Sequence, residues 1–294
     1  MKIIFMGCVE FSRAALEHLL TLKQAEVVGV VTRRQSEFNA DFASLEPIAR
    51  SKGIDVFFAD EADPSILADW LRSKNPDVMY CFGWSYLLKS DILSIPRLGV
   101  VGYHPAELPA NRGRHPIIWA LALGLPQTAS TFFFMDSGAD SGDLLSQKKV
   151  TILENDDAAT LYKKLITVAQ TQITEFTAQL SQGDYPRIPQ DNSQATSWRK
   201  RSKADGQIDW RMPARSVRNL VRALTRPYPG AHCVSLGAEV KVWRAELEPK
   251  APSNAEPGKV LKVDGREIVV MCGENAVRLV EHDFVNLPQE GAYL

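Results

Sequence analysis

The chain has 294 residues, 45% hydrophobic and 23% charged, ordinary globular proportions with length for two domains and sizeable cores. Lys plus Arg total 34 against 35 Asp plus Glu, a formal net charge of -1, so the bulk electrostatics ask for no polyanionic partner and no nucleic acid is expected. Four widely spaced cysteines, Cys8, Cys81, Cys233 and Cys272, show neither CxxC nor Cys/His ligand spacing, which supports no disulfide framework and no metal site. In chain order, Lys2 to Met6, Ser12 to Leu22 and Glu26 to Thr32 read as strand, helix and strand, with Ser12 as the expected N-cap. Further strands are expected at Val56 to Phe58, Asp77 to Phe82, Gly99 to Tyr103 and Thr131 to Met135, with helices at Ser65 to Ser73 and His115 to Leu123. This alternation predicts an α/β domain with a mostly parallel sheet. No apolar window is long enough for a membrane span and no cleavage site follows the apolar start, so a cytoplasmic protein is expected.

Asp156 and Asp157 open a periodic segment through Leu161, Leu165, Ile173, Phe176 and Leu180 that stops at Gly183, with Pro186 and Pro189 beyond. The division expected is therefore a first domain over residues 1–189, a polar linker over 190–205 and a β-rich domain over 206–294. In the last of these, a helix at Ala214 to Leu224 precedes short strands at Cys233 to Leu236, Val240 to Leu247, Lys259 to Val263, Ile268 to Met271 and Val277 to Val280. Strands at this spacing suggest a small OB-like barrel, whose surface is a candidate for homodimer formation.

The first strand runs into Gly7, but a dinucleotide fold needs three glycines in GxGxxG and only Gly7 is present, so NAD is not expected. Walker A and GxSxG signatures are absent as well. The dense region is Gly102-Tyr103-His104 through Arg112-Gly113-Arg114-His115-Pro116, followed by Asp136-Ser137-Gly138-Ala139-Asp140-Ser141-Gly142-Asp143. A histidine leaving the carboxyl end of a parallel strand sits where open α/β sheets collect ligands. Asp140, on a Gly-punctuated loop, could orient an imidazole by accepting its second N–H.

His104, Leu108-Pro109, Arg112-Gly113, Pro116 and the Asp136 to Asp143 run resemble the core motifs of the folate-dependent formyltransferases. The resemblance extends over essentially the whole chain, through Met1 to Phe11, Phe82 to Leu88, Ile208-Asp209-Trp210, Pro227 to Ala231 and Val240 to Trp243. It implies a Rossmann-like formyltransferase domain that takes its formyl group from 10-formyltetrahydrofolate, followed by a smaller barrel-like domain. The family's Asn-x-His pair and distant aspartate map onto Gly102, His104 and Asp140, so histidine and aspartate match while the asparagine, thought to polarise the formyl oxygen, does not. His104 is then the expected base and Asp140 its partner, with folate expected along Phe82, Gly83, Trp84, Tyr86, Leu87, Leu88, Asp136, Gly138 and Asp140.

Within the family, Arg114 and the runs Ser197 to Ser202 and Pro227 to Ala231 look more like the sugar N-formyltransferases, which serve surface polysaccharide pathways, than like the tRNA-formylating enzyme. The segment Thr32 to Phe42 is also short, where the tRNA enzyme carries a longer basic loop that grips the acceptor stem. A nucleotide-linked amino sugar is thus the expected acceptor, with Arg33, Arg34, Arg114, Arg199 and Arg201 as candidates for its diphosphate and Tyr103, Trp198 and Tyr228 for its base or sugar. A tRNA acceptor, and a protein that binds these ligands without turnover, stay open.

Overall fold

The computed structural model describes residues 1–36, 39–61 and 64–294. Its elements in chain order are β1 (Lys2–Met6), α1 (Glu10–Leu19), β2 (Glu26–Thr32), α2 (Glu46–Ser51), β3 (Val56–Phe58), α3 (Pro64–Lys74), β4 (Val78–Cys81), α4 (Ser90–Leu93), β5 (Val100–His104), β6 (Arg112–Gly113), α5 (Pro116–Ala122), β7 (Gln127–Phe134), β8 (Leu144–Thr151), α6 (Ala158–Gln182), β9 (Ser197–Trp198), α7 (Ala214–Leu224), β10 (Ala231–Ser235), β11 (Ala238–Glu248), β12 (Val260–Asp264), β13 (Glu267–Met271) and β14 (Ala276–His282).

The chain forms two compact units that are not contiguous in sequence. One contains residues Met1–Gly113, Thr128–Val150 and Lys163–Trp198; the other contains Arg114–Gln127, Thr151–Tyr162 and Arg199–Leu294. The segment 190–205, expected as a linker, carries β9 and two single-turn helices, Asn192–Gln194 and Lys203–Gly206.

The first unit is built on a seven-stranded sheet in the order β3-β2-β1-β4-β5-β7-β8. Strands β1 to β5 run parallel, as the alternating pattern predicts, and β7 lies antiparallel to β5. Central strands of such a sheet are covered on both faces, so β1 buries four consecutive apolar residues, Ile3 to Met6, rather than alternating. On one face, Tyr80, Phe82, Phe132 and Phe176 form a ring cluster, with Phe82 and Phe132 at 5.1 Å and Phe132 and Phe176 at 4.8 Å. On the other, Ile4, Met6, Val31, Met79 and Cys81 pack with Leu71 and Trp70. Strand β8 escapes sequence reading because its run, Leu144 to Thr151, interleaves Ser146, Gln147, Lys148 and Lys149 with few apolar residues.

The strand order reverses between β1 and β4, and there the two strand ends are tied together. Ser12 Oγ donates to the Phe82 carbonyl at 2.6 Å and accepts the Val9 N–H at 3.2 Å. Ser12 therefore sits inside the first turn of α1 rather than at the expected N-cap, and α1 starts at Glu10. Gly7 is needed for the approach, since a Cβ there would lie 2.3 Å from the Phe82 carbonyl oxygen and 2.4 Å from Ser12 Oγ. The first glycine of a dinucleotide fold serves a tight turn, and here it admits a neighbouring strand end.

The second unit holds a five-stranded antiparallel sheet in the order β10-β11-β14-β13-β12. Helix α7 buries Val217, Leu220, Val221 and Leu224. Its basic side grips the 151–162 segment: Arg218 pairs with Glu154 at 2.6 Å, and Arg222 donates to the carbonyls of Leu153, Glu154 and Asp156. Among the described residues, no helix is long and apolar enough to cross a membrane.

Replacing Ser12 by Ala leaves a buried N–H and a buried carbonyl without partners, so Ser12→Ala is expected to lower stability by about 1–3 kcal/mol in denaturant unfolding. A loss below about 0.5 kcal/mol would mean that the two strand ends hold without it.

Candidate active site

His104 ends β5, beside Thr131 of β7, and is 5% exposed. Its side chain lies on the same face of the strand as Gly102, the opposite face from Tyr103. The chain then turns back, and Asn111, in the left-handed region at φ 64°, aims its carbonyl oxygen at His104 Nε2, 2.8 Å away. A carbonyl only accepts, so the ring proton is assigned to Nε2 and Nδ1 is the nitrogen that faces Asp140, 3.6 Å from Oδ2.

Asp140 is also left-handed, at φ 55°, on the loop that joins β7 to β8. Its Oδ2 accepts the Gly113 N–H at 2.9 Å. Two glycines permit this. A Cβ at Gly142 would lie 1.7 Å from the Phe134 carbonyl oxygen, and one at Gly113, where φ is +100°, would lie 2.3 Å from the Trp198 carbonyl oxygen. Gly113 and Trp198 are register partners of the β6 and β9 pair. Farther along the loop, Asp136 Oδ1 accepts from Gly138 N and Ser141 Oγ, which shapes the turn before Asp140.

His104, Asp140 and Trp198, picked out from the sequence, thus come together around Gly113. Three partners were missed. Asn111, Gly113 and Gln190 act through backbone atoms or a side-chain amide, and the polarity of the 190–205 run concealed Gln190. Gln190 Nε2 donates to the carbonyls of Asp140 and Gly142, and its Oε1 accepts from Arg112.

Other candidates are engaged elsewhere in the first unit. The Phe82 ring is fully buried against Phe5, Tyr80 and Phe132, and its carbonyl is taken by Ser12. Tyr103 stacks on Phe11 at 4.0 Å and its hydroxyl accepts from Ser130, so it belongs to the packing under the sheet. Gly83 turns at φ +68° beside Val9, and Trp84 and Leu88 pack partly on the core, which leaves Tyr86 and Leu87 as the exposed apolar tip of that loop, 49% and 74% accessible. The Arg33 guanidinium lies over the Tyr86 ring at 5.1 Å. Arg34 pairs with Glu61 and Glu46 and covers Phe58. In the second unit, Arg201 lies over Trp119 at 4.5 Å and donates to the Asp205 carbonyl. His115, at φ 58°, is held below the ordinary imidazole range by burial first and then by Arg114, Arg201 and Lys200. Tyr228 follows the end of α7, its N–H donating to the Thr225 carbonyl.

No side chain stands at Gly102, and its place is filled: a Cβ there would lie 2.9 Å from Met135 Cγ and 3.0 Å from Phe133 Cζ. Among the described residues, no group of three or more His, Cys, Asp or Glu could hold a metal ion. At the end of β1, burial pushes the Cys8 thiol up to about 11, against a smaller opposing effect of Arg33, so it is not a thiolate nucleophile near neutral pH.

Two outcomes follow from these surroundings. Gly102→Asn must displace Phe133 and Met135 and is expected to cost about 1–3 kcal/mol in thermal unfolding, with lowered turnover; a gain in both would show that the place is open. Alkylation of Cys8 by iodoacetamide, read by peptide mass spectrometry, should be slow near neutral pH and rise about tenfold per pH unit toward the thiol's raised value, whereas rapid neutral modification would contradict its burial.

Comparison with known proteins agrees with this architecture. Residues 1–177 match the family model described as formyl transferase, and residues 200–286 match the formyl transferase C-terminal domain. A methionyl-tRNA formyltransferase of Caldanaerobacter subterraneus subsp. tengcongensis is 34% identical over 99% of this chain and 93% of its own length. Among solved structures, WlaRD, a sugar 3N-formyl transferase crystallised with dTDP and 5-N-formyl-THF, has a TM-score of 0.73 at 14% identity, covering 98% of this chain and 99% of its own. An N-formyltransferase from Helicobacter canadensis, in complex with folinic acid and dTDP-3-aminofucose, has a TM-score of 0.74 at 14% identity, covering 96% of this chain and 100% of its own. The likeness to these two is one of fold, whereas the sequence matches extend over both units and carry the assignment: this chain belongs to the formyl transferase family.

Proposed function

We propose that the protein transfers a formyl group from 10-formyltetrahydrofolate to the amine of a nucleotide-linked amino sugar. The observation that carries the reaction is the His104–Asp140 pair at the carboxyl end of β5, with Nδ1 facing the carboxylate and Nε2 held by Asn111. The chain's own residues then divide the proton work. His104 takes the proton that the attacking amine must lose, on Nδ1, directly or through a water, and returns it to the departing donor nitrogen as its bond to the formyl carbon breaks. The imidazolium so formed faces two acceptors, the Asp140 carboxylate and the Asn111 carbonyl, while the Gly113 N–H keeps the carboxylate in place. With no side chain at Gly102, charge on the formyl oxygen is left to backbone N–H groups, a water or the positive ring of His104 itself.

The donor supplies the formyl carbon when bound. Tyr86, Leu87 and the backbone of Gly83 to Leu88 are assigned to its flat heterocycle, on the exposed apolar surface that Tyr86 and Leu87 offer, and the turn at Asp136 and Gly138 is the second wall assigned to it. For the acceptor, the first unit offers Trp198 beside Gly113 for the sugar or base and Arg33 for the nucleotide. Arg34 is a weaker candidate because its charge is already matched by Glu61 and Glu46.

That matched charge also supports a small acceptor over tRNA. A tRNA site draws on several unneutralised phosphate contacts, and the segment after β2 offers Arg34 only as part of an ion-pair cluster. The thymidine nucleotides named with the two solved relatives agree with a sugar nucleotide. Transfer to methionyl-tRNA is the second reading, favoured by the name of the 34% identical relative.

One assay separates them. The protein is incubated with 10-formyltetrahydrofolate and, in parallel, uridine-, thymidine- and guanosine-diphosphate amino sugars and methionyl-tRNA, and products are weighed by mass spectrometry. Formylation of a sugar nucleotide is expected; formylation of the tRNA alone would overturn the acceptor assignment. In the active reaction, His104→Ala and Asp140→Asn should each lower kcat by about a hundredfold or more, and near-normal turnover of His104→Ala would remove it as the base.

A further inference from the structure

The His104–Asp140 pair depends on three chain segments that are distant in sequence, and one side chain touches two of them. Gln190 Nε2 donates to the carbonyl oxygens of Asp140 at 2.9 Å and Gly142 at 2.7 Å. Its Oε1 accepts from Arg112 Nη2 at 2.7 Å and Nε at 3.3 Å. Arg112 itself is flanked by Asn111, whose carbonyl receives His104 Nε2, and by Gly113, whose N–H holds the Asp140 carboxylate. The same guanidinium is steadied from the far side by Asn192 Oδ1 at 2.9 Å.

We propose that Gln190 is a positioning residue for formyl transfer, which sets the separation of the His104 ring from the Asp140 carboxylate. The inference rests on the functional reading above. Its amide has a donor end and an acceptor end, and each is spent on one side of the pair: the donor end on the backbone that carries the carboxylate, the acceptor end on the arginine between the residues that hold the ring and the carboxylate. Asp140 needs this support because its left-handed backbone is disfavoured for a residue with a side chain, and Gly142 lets the loop pass against the Phe134 carbonyl with no side chain to wedge it. Without the two bonds from Nε2, the stretch around Asp140 keeps the turn at Asp136, the Gly113 bond and, beyond Gly142, the Phe134 N–H donated to the Asp143 carbonyl.

Gln190→Glu isolates the effect. It is nearly isosteric and keeps an acceptor for Arg112, but it has no N–H for the two carbonyls and sets a negative carboxylate against them. Formyl transfer from 10-formyltetrahydrofolate to the best acceptor is followed with full kinetics, beside thermal unfolding and the NMR signal and exchange rate of the Gly113 amide. The expected result is a kcat lowered about ten- to hundredfold, KM values for both substrates within about twofold of the parent, and a Gly113 amide that loses protection. Gln190→Ala should match it in kcat. Unchanged kcat with an intact Gly113 amide would overturn the proposal, and so would a fall in kcat matched by raised KM and lowered melting temperature, which marks a general structural role. If the parent transfers formyl to no acceptor tried, the functional reading fails separately, and the Gly113 amide in Gln190→Glu still decides whether Gln190 holds the carboxylate.

Discussion

The single hydrogen bond from the Gly113 amide to the Asp140 carboxylate is the contact on which the rest of the site depends. It joins the strand pair of β6 and β9 to the loop between β7 and β8, and it does so where both backbones occupy conformations that a typical side chain would resist. A charge-assisted bond of this kind is stronger than one between neutral groups, and it fixes direction as well as distance. The imidazole beside it is then oriented by a backbone carbonyl rather than by the carboxylate, so the carboxylate stays available for the charge that His104 would acquire in the transfer proposed above.

The same economy appears at the reversal of strand order. There a serine hydroxyl and a glycine without a side chain bring the ends of β1 and β4 into contact, and the loop beyond Phe82 is projected outward with Tyr86 and Leu87 at its tip. A buried aromatic cluster beneath supplies the rigidity: Phe82 is sunk among Phe5, Tyr80 and Phe132 while the residues after it reach the surface. Loops that carry chemistry are commonly positioned by a rigid scaffold.

Much of this was legible in the residues themselves. Apolar runs such as Lys2 to Met6 and Glu26 to Thr32 announced parallel strands because both faces of a central strand are covered, and His104 and Asp140 stood out through the motifs around them. What escaped was of two kinds. Elements held by tertiary pairing rather than by their own pattern were not visible: β8, whose polar residues belie its place at the sheet edge, and the two-residue strands β6 and β9 inside a run that reads as loop. Contacts made by backbone atoms were also invisible, because Asn111 and Gly113 act through a carbonyl and an amide that every residue possesses. The burial of the aromatic candidates was hidden for a related reason. Tyr103 and His104 are adjacent, yet a strand sends them to opposite faces, one into the packing and one toward the site.

The filled place beside Gly102 carries a consequence for how this site can change. Phe133 and Met135 occupy the volume that a side chain at 102 would need, so the three positions share one volume rather than contributing separately. Substitutions at positions that share space are not additive, so the effect of a side chain at 102 is coupled to what stands at 133 and 135. The cost of an asparagine here is thus set by how far Phe133 and Met135 can give way, and it changes with what stands at those two positions.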